Sequence, residues 1–134
     1  MILEESIDID LKALTSLTAY TSSSGIFYIE ADQDYSGNAY VVYRKIGEDH
    51  SRNGKNVVRP IRKPNMNIVC YSTDRFNVRK MADVIILHYI DLTGKLGNST
   101  GVNVKEIVIT NDSDIGRFDE KFAVNIDLLI IYQA

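Results

Sequence analysis

Asn65-Met-Asn-Ile-Val-Cys-Tyr71, then Ser72-Thr-Asp74, then Arg75-Phe-Asn-Val-Arg-Lys-Met-Ala-Asp-Val-Ile-Ile-Leu-His-Tyr89 is the stretch from which the fold is read. Its first part is rich in apolar and β-branched side chains and predicts a strand over 65–71. The short polar residues that follow accept hydrogen bonds from the free N–H groups of a helix start, so they predict a cap. Beyond the cap, Val78, Met81, Ala82, Ile85, Tyr89 and Leu92 recur at three- and four-residue steps. That spacing puts them on one face of a helix over 74–92.

Working outward, Val104 to Thr110 and Lys121 to Tyr132 read as strands, joined by turn chemistry in Asn111-Asp-Ser-Asp-Ile-Gly116. A second flexible connection is expected over 95–101. Upstream, Ala39-Tyr-Val-Val-Tyr-Arg-Lys-Ile46 is a strand, Ile26 to Ile29 a short β-rich run, and 32–38 a turn. Leu3, Ile7, Leu11, Leu14 and Leu17 or Thr18 share a face at helical spacing, predicting one amphipathic helix over the first twenty residues. The expected order is α-β-β-loop-β-α-β-β. This is a single α+β (α/β-like) domain with a mixed, mostly antiparallel sheet and two helices on one face. The chain has 134 residues, and at this size folding buries roughly two-thirds of the unfolded surface, enough for one two-layer core.

The loop in that order, 47–64, carries Arg52, Lys55, Arg59, Arg62 and Lys63 against Glu48 and Asp49, a local balance of +3 in a chain of net charge −3. Two prolines and two glycines break it, and Val57-Val58 is its most extended-looking part. A loop this long in a compact domain is usually functional or disordered. Its cations are candidates for phosphates or an acidic protein surface, although no interleaved aromatic residues indicate base stacking. A solvated loop is the plain alternative. The last strand alternates Val124, Ile126 and Leu128 with Asn125 and Asp127, then becomes apolar on both faces over Leu128, Leu129, Ile130 and Ile131. Either that end lies centrally in the sheet, or a second subunit covers one face.

Reaction chemistry finds little support. Cys70 lies within a predicted strand without a recognisable spacing to His50 or His88, so it reads as a core side chain. His88 reads as a satisfied helix histidine. Asp32-x-Asp34-x-Ser36-Gly37 matches the first half of a calcium loop, but Tyr43 stands where the bidentate glutamate belongs. Asp112-x-Asp114-x-Gly116 reads as a hairpin turn. No catalytic, cofactor or metal set is assigned. The single cysteine fits a reducing compartment. Acidic residues occupy the first positions, where a signal peptide needs basic ones, and no apolar run reaches bilayer length. A soluble, non-enzymatic protein made in a cytoplasm, with no membrane contact, is expected.

Several segments, taken in order, resemble the tail-terminator or tail-completion (tail-to-head joining) proteins of bacteriophages with long non-contractile tails. They are Leu3-Glu-Glu5 opening a helix, Tyr40-Val-Val-Tyr-Arg44, and Asn67-Ile-Val-Cys-Tyr-Ser72. Phe76-Asn-Val-Arg-Lys-Met-Ala-Asp-Val-Ile85 and Arg117-Phe-Asp-Glu-Lys-Phe-Ala-Val-Asn-Ile-Asp127 complete the set. The resemblance spans nearly the whole chain. It implies a virion protein at the tail–head junction, assembled in the host cytoplasm as a hexameric ring. Such a ring ends tube polymerisation and binds the tail tube protein and the head completion or connector protein. It also implies that the basic loop faces either the tube or a DNA-filled lumen, where contact with DNA is non-specific. Two other classes stay open: a small nucleic-acid-binding protein using the basic loop, and a calcium-dependent module built on Asp32 and Asp34.

Overall fold

A computed structural model describes residues 2–48, 61–118 and 120–133. Among them, helices α1 (Leu3–Ala13), α2 (Thr15–Thr21) and α3 (Arg75–Tyr89) pack on one face of a seven-stranded sheet. The strands are β1 (Ile26–Tyr28), β2 (Ala39–Glu48), β3 (Ile61–Arg62), β4 (Pro64–Ser72), β5 (Gly94–Lys95), β6 (Asn103–Phe118) and β7 (Lys121–Gln133). Their spatial order is β1-β2-β4-β7-β6-β5, with β3 added beside β7. Only β1 and β2 run parallel; every other pairing is antiparallel. The α+β class and the mixed, mostly antiparallel sheet are therefore as the periodicities predict.

The strand and capped helix form as expected. The Asp74 carboxylate accepts the Phe76 and Asn77 N–H groups at 2.8 and 3.0 Å, and these bonds hold its pKa below the usual carboxylate range. Val78, Met81, Ala82, Ile85 and Tyr89 are all buried. Their face lies on Ile68 and Cys70 of β4 and on Val124, Ile126, Leu128 and Ile130 of β7, within one continuous core.

Helix α3 ends at Tyr89 rather than at 92, and four other stretches also differ from the expectation. The N-terminal helix is two helices, giving three on the covered face rather than two. Leu14 leaves helical geometry (φ −81°, ψ 93°), and its carbonyl then accepts the Leu17 and Thr18 N–H groups at 3.0 Å. The bend brings both Leu11 and Leu17 to full burial. The threonines of α2 are weak helix formers that offer little resistance to it. Residues 111–116 are strand rather than turn: β6 runs through them, and Phe118 pairs directly with Lys121. The loop over 47–64 is shorter at both ends, since Gly47 and Glu48 belong to β2, Ile61 and Arg62 form β3, and Pro64 opens β4. Residues 49–60 lie outside the described residues. Finally, 95–101 is anchored: Gly94 and Lys95 pair with β6, and Leu96 is fully buried. Gly97 (φ +85°) lets this segment approach α1 closely, where an added Cβ would stand 2.7 Å from the Ser6 carbonyl oxygen.

Candidate functional site

No described helix covers the second face of the sheet. Tyr40 and Arg44 of β2, Asn67 and Tyr71 of β4, and Asn125 and Asp127 of β7 point there by strand alternation. The middle of this face is a polar ladder. Asn67 Nδ2 donates to Asn125 Oδ1 at 2.6 Å and Asp127 Oδ1 at 2.7 Å, and Asn125 Nδ2 donates to Asp127 Oδ2 at 3.1 Å. Toward one end, Tyr40 and Tyr71 stack at 4.6 Å. Tyr35 closes over Phe27 at 5.2 Å and is held by its hydroxyl, 2.9 Å from the Thr21 and Ala39 carbonyl oxygens.

The apolar end of β7 divides between the two faces. Leu128 and Ile130 are core residues under the helices, while Leu129 and Ile131 are half-buried on the helix-free face. Cross-strand from Leu129 stands the exposed Val108. The strand is central, flanked by β4 and β6, yet on the helix-free face its apolar end stays only half-buried at Leu129 and Ile131. Of the four residues singled out by sequence, Leu129 and Ile131 are the two on the helix-free face.

Of the five candidate cations, Arg52, Lys55 and Arg59 lie outside the described residues, as does His50. Arg62 is engaged within the fold. Its Nε and Nη2 donate to Glu48 at 2.7 and 2.6 Å, and its guanidinium sits 5.5 Å from the centre of the Tyr132 ring. Lys45 reaches the same carboxylate at 2.5 Å. The Glu48 side chain is only 3% exposed. The Arg62 hydrogen bonds, aided by Lys45, lower its pKa to about 2 against the opposing effect of burial. This trio ties the end of β2 to β3 at the base of 49–60. Lys63 is exposed.

A surface that the sequence reading passed over lies where α1 meets β1 and β2. Ile2, Glu4, Glu5, Asp8, Ile9, Tyr28 and Tyr43 line a groove of about 390 Å³. Tyr43 donates to Asp8 Oδ1 at 2.7 Å, and Lys12 pairs with Asp8 Oδ2 at 2.8 Å. Burial first, then Asp8, push the Tyr43 phenol well above its ordinary value. Ile2 (58%), Tyr28 (46%) and Ile29 (57%) are unusually exposed for their type. Ile29 has φ +71°, strained for a β-branched residue, in a tight turn in which Glu30 N–H donates to the Tyr28 carbonyl at 2.9 Å. The legible signal was the acidic Glu4, Glu5 and Asp8 in α1; its meeting with β1 depends on tertiary packing.

The residues weighed for chemistry are dispersed. Cys70 is fully buried, and burial pushes its thiol up to about 12. His88 Nε2 lies 2.8 Å from Asp10 Oδ2, and that hydrogen bond raises the histidine pKa. Asp112 and Asp114 face α3 from β6 and both reach Arg79. Asp32 and Asp34 are exposed in the connection between β1 and β2. Among the described residues no group of three or more His, Cys, Asp or Glu side chains is placed to hold a metal ion, and no helix is long and apolar enough to cross a membrane.

No protein-family model matches this sequence, and no functionally curated protein matches it. Solved structures do match. A chain of the virion of a native gene transfer agent particle superposes with a TM-score of 0.70 at 12% identity, covering 98% of this chain and 95% of that one. A second solved protein superposes with a TM-score of 0.60 at 12% identity, covering 100% of this chain and 98% of its own. Both comparisons show a shared fold over the whole chain.

Proposed function

We propose that this chain is a structural virion protein that forms a ring on the finished end of a phage-type tail tube, stops tube growth and joins the tail to the head connector. The observation that carries this reading is the end-to-end fold match to a chain of a gene transfer agent virion. It agrees with the independent likeness of the sequence segments to tail-completion proteins. The chain acts through its surfaces, without turnover or cofactor. It is made in the host cytoplasm and resides at the tail–head junction, against the tube protein on one side and the head completion protein on the other. A closed ring needs two different patches on each subunit to meet, since a heterologous contact generates a cycle when its rotation closes. The test is removal of the chain from the particle that encodes it. Filled heads and separate tails, with tails of irregular length, are expected by electron microscopy. Complete particles at normal yield would overturn the proposal.

A further inference from the structure

Resting on the ring reading, we infer that the acidic groove between α1 and β1 is one half of the subunit contact and receives the basic stretch 52–63 of a second copy of this chain. Glu4 and Glu5 line the groove with Asp8, and the exposed Ile2, Tyr28 and Ile29 supply apolar contact area around them. Asp8 already holds Lys12 and Tyr43, which leaves Glu4 and Glu5 as the acidic groups that meet the partner. The stretch 52–63 has the matching composition. Besides Arg62 it carries four cations and no carboxylate, with Val57, Val58 and Ile61 among them. At its described end, Ile61 is 45% exposed and Lys63 is exposed.

Opposite charge over apolar surface favours this pairing and disfavours the two like-with-like alternatives, groove on groove and stretch on stretch. The pairing is therefore heterologous, as ring closure demands. Arg62 is not among the docking groups, because Glu48 and Tyr132 hold it; the trio instead fixes the root from which the stretch departs.

Charge reversal in separate chains tests this. One variant carries Glu4→Lys and Glu5→Lys, the other Arg59→Glu and Lys63→Glu. Sedimentation and native mass measurement should show each variant alone losing at least tenfold of the assembled fraction that the wild type shows. An equimolar mixture should recover it, because alternating copies restore opposite charge at every contact. Variants that assemble as the wild type does, or a mixture that fails to recover, would overturn the inference. Disulfide trapping guards against misfolded variants, using Glu5→Cys with Arg59→Cys in an otherwise wild-type chain, where buried Cys70 stays out of reach. Ladders of linked chains support the contact, whereas links within single chains, or none, overturn it. A wild-type chain monomeric at every concentration overturns a contact able to assemble the free chain, while the ring reading itself stands or falls on removal of the chain from the particle; an assembling wild type with unaffected variants removes this contact alone.

Discussion

Glu48 shows how far a residue's place in the sequence can mislead about its work. It stands in a stretch that reads as a mobile charged loop, yet its side chain is nearly sealed and binds both Lys45 and Arg62. Hydrogen bonds to a charged partner contribute roughly 1.5–3 kcal/mol each before the cost of burial is offset. With two partners still partly exposed, Glu48→Ala is expected to cost about 1–3 kcal/mol at neutral pH. The pH dependence has a definite sign. The folded-state pKa lies at about 2, below the ordinary value of 4.5, so the stabilisation is complete above the unfolded value and fades as the pH falls toward the folded one. Urea melts of the wild type and Glu48→Ala should therefore differ at pH 7 and converge near pH 2. A gap that stays constant down to pH 2 would show that the carboxylate is not held by these partners.

At the scale of elements, the hairpin of β6 and β7 holds the largest discrepancy between pattern and structure. Asn111, Asp112, Ser113, Asp114 and Gly116 have the composition of a turn. They continue as strand because Asn111, Asp112 and Asp114 find partners supplied by the fold. Asp112 and Asp114 meet Arg79 of α3, which also holds Asp83 at 2.8 Å. Asn111 Nδ2 reaches Asp127 Oδ2 at 3.4 Å on the opposite face. Register shifts between Val104 and Glu106, Ile109 and Asn111, and Asp114 and Gly116 absorb the irregular composition. They also disrupt an outer edge that β5 covers only at Asn103 and Val104 among the described residues. Arg79 is about one-third exposed, so Arg79→Met is expected to cost roughly 0.5–1.5 kcal/mol. Amide exchange should quicken at 111–118 more than at 104–109. Uniform exchange along β6 would show that Arg79 does not fasten the distal half. What periodicity could supply was supplied: the helix face from Val78 to Tyr89 and the alternation of β7 were legible because each follows from local geometry. The break at Leu14, the strand through 111–116 and the groove at Tyr28 were not, because each depends on residues that meet only after folding.

At the scale of the molecule, the sheet is a single layer with unequal faces, and β7 samples both. The helices, bent at Leu14 and capped at Asp74, cover one side and leave the other to a polar ladder with aromatic groups toward one end and Leu129 and Ile131 toward the other. The face sealed by its own helices has no apolar area to offer a neighbour, whereas the helix-free face does at Leu129 and Ile131. Adjacent residues of β7 provide the test. Leu128 is 1% exposed beneath α3, so Leu128→Ala is expected to cost about 2–5 kcal/mol as a core truncation. Leu129 is half-buried on the helix-free side, and Leu129→Ala in the isolated chain is expected to cost less than about 1.5 kcal/mol, because part of its surface is already in water. Chemical denaturation of the two variants measures the difference directly. Equal large losses would mean that the helix-free face is covered in the isolated chain, and equal small ones that α3 does not pack over β7. A large loss for Leu128 beside a small one for Leu129 would leave the helix-free face with accessible apolar surface, as the placement of the three helices requires.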